Sequence, residues 1–173
     1  MLRAINVGGH VVTMDRLRAH FEACKLKNVR TFIASGNVIF ESSIADAALL
    51  EATIERALQK ALGYPVATFL RTPQEMIDAA AHDPFPPDRL ADASVYVVFL
   101  KTEPSRQEQQ KVLALRTDLD DLDLRGRELY WLRRDVKARA GQPGPPFERV
   151  LSIQATTRNI TTVRKIAAKY CTA

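Results

Sequence analysis

Two β-rich runs meet at one turn in Val29-Arg30-Thr31-Phe32-Ile33-Ala34-Ser35-Gly36-Asn37-Val38-Ile39-Phe40. Residues 29–34 read as a strand, Ser35-Gly36-Asn37 is a turn signal, and residues 38–40 begin the next strand. The pair is therefore predicted to be a hairpin. Upstream, Met14, Leu17, Phe21 and Cys24 recur at helical spacing, with Thr13 as N-cap and Asp15 in the first turn. Downstream, Leu50, Ile54, Leu58 and Leu62 recur every four residues within 46–62, and Gly63 stands where a C-terminal glycine cap belongs. A strand is expected over residues 2–7, ending at Gly8-Gly9, and another over residues 66–70. The order strand, helix, strand, strand, helix, strand is the ferredoxin-like βαββαβ unit.

The remainder repeats the theme in part. Thr72-Pro73-Gln74-Glu75 carries the signature of a capping box with proline at the first helical position. Asp83-Pro84-Phe85-Pro86-Pro87-Asp88 reads as a linker. Residues 94–100 form a strand, 104–119 a helix, and 122–124 with 128–132 a hairpin around Arg125-Gly126-Arg127. Residues 147–153 fit a short helix or a strand. Thr156 or Thr157 is expected to cap a last helix ending near Tyr170. The fold class is α+β with two subdomains, the first (1–82) ferredoxin-like and the second (94–173) a partial repeat, joined by a proline-rich linker at 83–93.

The chain has 173 residues, 46% apolar and 26% charged. These proportions exclude a collagen, a coiled-coil rod, a disordered tail and a disulfide scaffold. No stretch approaches the roughly 20 apolar residues of a membrane span, and the first residues lack a secretory pattern. A cytoplasmic protein is expected, without membrane association. Cys24 and Cys171 are far apart and are expected to be reduced thiols. The three histidines lack ligand spacing, so neither a metal nor a cofactor is expected; His20 is placed on the exposed side of its helix. Asp118, Asp120, Asp121 and Asp123 read as a solvated acidic loop.

Net charge is +5, distributed as +2 over residues 1–63, −5 over 64–123 and +8 over 124–173. The basic third can attract a phosphate-rich partner or dock against the acidic segment of the same chain. Aromatic residues are 7% and do not interleave with the basic ones, which weakens a single-stranded nucleic-acid platform.

Three segments carry candidate chemistry. Arg3-Ala4-Ile5-Asn6-Val7-Gly8-Gly9-His10 offers consecutive glycines whose N–H groups can approach an anion. Arg3 and Asn6 would point to opposite faces of a flat strand unless a twist or bulge intervenes. Ala34-Ser35-Gly36-Asn37-Val38 lacks the nucleophile-elbow pattern, so Ser35 and Asn37 suit local backbone bonds as well as a ligand. Ala155-Thr156-Thr157-Arg158-Asn159 places hydroxyls and a guanidinium at an expected helix start, where they would hold a carboxylate or phosphate or serve as a doubled cap.

Arg-x-Ile-Asn-Val-Gly-Gly at 3–9, the run at 29–40 and Ala-Thr-Thr-Arg-Asn at 155–159 together resemble the bacterial family called domain of unknown function 1697. The resemblance implies a two-part α+β fold and a place among mostly uncharacterised cytosolic proteins, and it supplies no reaction or substrate. In that family more residues precede the first motif, glycine is usual at the position of Ala4, and tryptophan commonly stands where Ile160 does. Arg139 to Pro146 replace a segment containing glycine and lysine. The expectation is a binding module for an anionic small molecule or nucleic-acid phosphate, held by Arg3, Asn6, Gly8, Gly9, Ser35, Asn37, Thr157, Arg158 and Asn159. The alternative is an enzyme using the same pocket, for which only His10 lies near as a base. A homo-oligomer is permitted by exposed sheet edges.

Overall fold

The structure is a computed structural model, which describes residues 1–3, 5, 6, 11–33 and 36–171. The chain is α+β and forms two compact units, Met1–Leu70 and Arg71–Ala173.

The first unit contains α1 (Met14–Ala23), β1 (Lys27–Phe32), β2 (Asn37–Glu41) and α2 (Ala47–Leu62). β1 and β2 form the expected antiparallel hairpin, with Phe32 opposite Asn37 and Thr31 opposite Val38. Thr13 caps α1 and Asp46 caps α2, while Gly63 ends α2 at φ 82°, a conformation natural to glycine. The helices bury the predicted stripes: Leu17 and Phe21 from α1, Leu50, Ile54 and Leu58 from α2. Each such side chain contributes roughly 1.5–3 kcal/mol by leaving water. His20 departs from expectation, being half-buried, with an Nε2 that has no hydrogen-bond partner among the described residues.

Among the described residues, the two outer strands expected here are represented by an antiparallel bridge, Leu2 to Thr68, and positions 4 and 7 of the first lie outside them. The bonds around it are nonetheless ordered. Leu2 N–H donates to the Gly36 carbonyl (2.8 Å), Arg3 N–H to Ala67 (3.0 Å), and Phe69 N–H to Met1 (2.8 Å). The other edge of 66–70 is covered by side chains. Glu55 accepts from Thr68 N–H (2.8 Å) and Glu51 from Leu70 N–H (2.7 Å). Residues four apart on a helix match residues two apart on an extended segment, so two glutamates serve two amides.

The second unit begins with α3 (Pro73–Ala81), whose Thr72/Glu75 capping box forms as predicted. A 3₁₀ turn at Pro87–Arg89 follows, then β3 (Ala93–Leu100), α4 (Arg106–Leu113), β4 (Asp120–Arg125), β5 (Glu128–Arg134), α5 (Phe147–Leu151), β6 (Ala155–Asn159) and α6 (Ile160–Tyr170). The sheet order is β4-β5-β3-β6, with every neighbouring pair antiparallel. One face carries Val98, Leu100, Leu122, Leu129 and Trp131, packed with Val112 of α4 and Phe147 and Leu151 of α5. On the other face the Tyr130 hydroxyl donates to the Ala79 carbonyl of α3 (3.3 Å), and α3 packs beside α6.

Four further expectations change. The units divide at Leu70/Arg71, not at the proline-rich stretch, because α3 packs within the second unit. The helix expected over 104–119 closes at Leu113, where Leu115 and Arg116 N–H groups turn back to Val112 and Leu113. Asp118 is exposed in a bend as expected, but Asp120, Asp121 and Asp123 are not on a solvated loop. Residues 120–125 form β4, whose alternation sends Asp120 to one face and Asp121 and Asp123 to the other. The last helix starts at Ile160, because residues 155–159 pair with β3 as a strand.

Among the described residues, no helix is long and apolar enough to cross a membrane, and no group of three or more His, Cys, Asp or Glu is placed to hold a metal.

Candidate anion-binding site

In the first unit, the N-terminal segment and the hairpin turn are brought together. A Cβ built on Gly36, at φ 73°, would lie 3.1 Å from both Ile5 Cγ2 and Leu2 Cβ. Glycine is needed there for the close approach as well as for the backbone angle. The preceding Ile33 holds φ 51° and is 52% exposed. A β-branched residue in that region is an outlier, and such strain collects where a turn is held for a purpose. On the other side of the contact, the Ile5 carbonyl accepts from the Tyr64 hydroxyl (3.0 Å). Asn6 Oδ1 accepts from Val12 N–H (2.7 Å).

The predicted site residues of this unit are therefore partly assembled. Arg3, half-buried, and Asn6, exposed, lie on the segment that abuts the Gly36 turn. Asn37 is 2% exposed and its Nδ2 donates to the Phe32 carbonyl (3.2 Å), so it ties the hairpin closed. Gly8, Gly9, His10 and Ser35 lie outside the described residues.

In the second unit, Thr157, Arg158 and Asn159 lie on β6 and do not share a direction. Strand alternation puts Thr157 and Arg158 on opposite faces. Thr157 is exposed, and Arg158 is buried opposite Val97. Its Nη1 donates to Thr156 Oγ1 (2.9 Å) and the Thr157 carbonyl (2.8 Å). Burial pulls the Arg158 guanidinium down to about 10 from the usual arginine range. Asn159 replaces the predicted threonines as N-cap, accepting from Thr161 N–H (2.9 Å).

The basic third is partly compensated within the unit. Arg127 pairs with Glu75 (2.7 Å), Arg139 with Asp120 (2.8 Å) and Arg164 with Asp83 (2.9 Å). Each pair joins the basic third to the acidic segment.

Several polar groups escaped the sequence reading. Arg71 donates to Glu128 and to the Leu100 and Arg127 carbonyls, with its side chain 1% exposed. His82 Nε2 lies 2.8 Å from Asp123 Oδ2, and its ring meets Tyr130 edge-on at 4.6 Å. Burial raises the Tyr130 hydroxyl, which keeps it a neutral donor. These pairs join residues 41 to 57 positions apart, and no local motif announces such partners.

The family model described as "Protein of unknown function (DUF1697)" matches residues 1–130. Among solved structures, the chain is similar to the conserved bacterial protein SP0830 from Streptococcus pneumoniae. The TM-score is 0.70 at 24% identity, covering 97% of this chain and 94% of that one. At that identity the likeness is one of fold alone. No curated protein matches.

Proposed function

The chain belongs to the DUF1697 family, and we propose that it is a binding module for a small anionic molecule. The observation that carries this reading is the packing of the Leu2–Asn6 segment on the Gly36 turn. Arg3 follows Leu2, which donates to the Gly36 carbonyl, and shares its segment with Asn6, which accepts from Val12 N–H; Ile33, on the other side of the hairpin turn, holds a positive φ. A cation next to backbone held in unusual conformations is how small anions are cradled. The three ion pairs between the basic third and the acidic segment favour a small ligand over a polynucleotide, since they neutralise part of the charge that a phosphate backbone would seek.

The strand order β4-β5-β3-β6 supports reading the second unit as a split βαβ variant. The bridge at Leu2 supports a ferredoxin-like first unit. We read the protein as bacterial, in keeping with the bacterial origin of a structural neighbour, and as cytoplasmic, as the family resemblance implies.

A thermal-shift screen tests the proposal, with inorganic phosphate, nucleotides, carboxylic acids and short oligonucleotides as the panel. A ligand at 100 times its Kd stabilises by about 2.7 kcal/mol, which for a domain of this size raises Tm by about 5–10 °C. The proposal expects such a shift with a small anion, lost in Arg3→Ala and only weakly dependent on salt. Loss confined to Arg158→Ala would move the site to β6. A shift with oligonucleotides alone, falling steeply with salt, or no shift at all, would overturn it.

A further inference from the structure

The segment between β5 and α5 lies across the sheet face that carries Trp131 and Arg133. Arg133 is 8% exposed, and its Nη2 donates to the carbonyls of Arg139 (3.2 Å) and Gln142 (2.9 Å). Its buried Nε–H has no hydrogen-bond partner among the described residues. An orphaned donor on a buried guanidinium calls for an explanation, because leaving it unpaired is costly. Nε–H and one Nη2–H of arginine point the same way and form a fork suited to two oxygens. Single carbonyls of the segment meet only one prong of that fork.

The surroundings define what would meet both. The Arg133 guanidinium lies 5.4 Å from the Trp131 ring centroid, and the Tyr96 ring lies 4.9 Å from that of Trp131, tilted by 31°. Asp120 accepts from the Trp131 indole N–H (2.7 Å) and from Arg139 Nη2 (2.8 Å). Two guanidiniums and one carboxylate leave a single positive charge, which suits a monoanion. Residues 135–146 close this site as a strap. At Gly144 the strap lies so close to the indole that a Cβ would stand 2.5 Å from Trp131 Cη2.

We infer that Arg133 and Trp131 form a strap-covered site for a small aromatic carboxylate. The carboxylate takes both prongs of the Arg133 fork, displacing the Gln142 carbonyl, and the ring takes the place of Gly144 against the indole. This inference uses other residues than the anion site of the first unit, and each stands or falls alone.

Trp131 is the chain's one tryptophan, so its fluorescence reports on the site directly. The experiment titrates benzoate and neutral benzamide into the wild type, Gly144→Ala and Arg133→Lys. A saturable change with benzoate and none with benzamide is expected. Gly144→Ala unseats the strap, so acrylamide quenching rises and benzoate saturates at lower concentration. Arg133→Lys keeps the charge but loses the fork, weakening benzoate by about ten- to a hundredfold. A wild type that stays silent while Gly144→Ala responds supports a closed strap over a real site. If Arg133→Lys does not fold, the benzoate-to-benzamide contrast in Gly144→Ala decides. Equal responses to the two probes, no response in Gly144→Ala, unchanged quenching in that variant, or undiminished benzoate binding in folded Arg133→Lys would each overturn the inference.

Discussion

Arg71→Ala is expected to be among the most damaging single substitutions in the second unit. The Arg71 side chain is 1% exposed and that of Glu128 17%, with Nε and Oε1 2.5 Å apart. The guanidinium also donates to the Leu100 and Arg127 carbonyls and lies over the Phe99 ring at 5.4 Å. Burial lowers the Arg71 ionisation range more than Glu128 restores it, so the pair is held against a desolvation cost. Removing the arginine strands a nearly buried carboxylate and two carbonyls, which costs about 3–5 kcal/mol. At roughly 2–4 °C per kcal/mol the melting temperature should fall by about 6–20 °C. Calorimetry and urea unfolding would read it. Replacing both partners, as in Arg71→Met with Glu128→Leu, should be less damaging than Arg71→Ala, since no charge is left unpaired. A loss below about 1 kcal/mol for Arg71→Ala, the range of a solvent-exposed pair, would show that the buried Arg71–Glu128 pair does not hold this unit together.

Other expectations rest on single features. Glu51→Ala strips the Leu70 amide of its acceptor and should cost about 1–3 kcal/mol in denaturant unfolding. Arg116 Nε donates to the Leu122 carbonyl on the outer edge of β4 (2.8 Å); Arg116→Ala uncovers that edge, and light scattering should then show more self-association than in the wild type at the same concentration. Glu75 is pushed up by burial but pulled below the usual carboxylate range overall by Thr72 and Arg127. Its folded value is the lower one, so its contribution is present above the unfolded carboxylate range and is lost as pH falls through the folded value. The melting temperature of Glu75→Gln should therefore depend less on pH below about 5 than that of the wild type.

Local chemistry made part of the fold legible. Gly36, Gly63 and the Thr72/Glu75 box act within a few residues of themselves, and each appears where the sequence places it. Ala155-Thr156-Thr157-Arg158-Asn159 misled because hydroxyl residues before a helical stripe suit a cap and a strand equally. Pairing with β3 decided between them, and that partner lies some 60 positions away in the chain. The aspartates near position 120 looked solvated for the same reason, since Arg139, Arg89 and His82 as partners are set by the sheet. The proline-rich stretch suggested a boundary by composition, whereas the compact units follow the packing of α3 on α6. At the candidate site, the glycine turn and the Arg3–Asn6 segment were each visible. Their meeting through Leu2 and Ile5 required the fold.

The most direct test of anion binding is a ¹H–¹⁵N spectrum of the full chain titrated with inorganic phosphate. Saturable shifts confined to the amides of residues 2–12 and 33–37, absent in Arg3→Ala, are expected. Shifts scattered over the basic surface of α6, or no saturation at any site in the first unit, would contradict it.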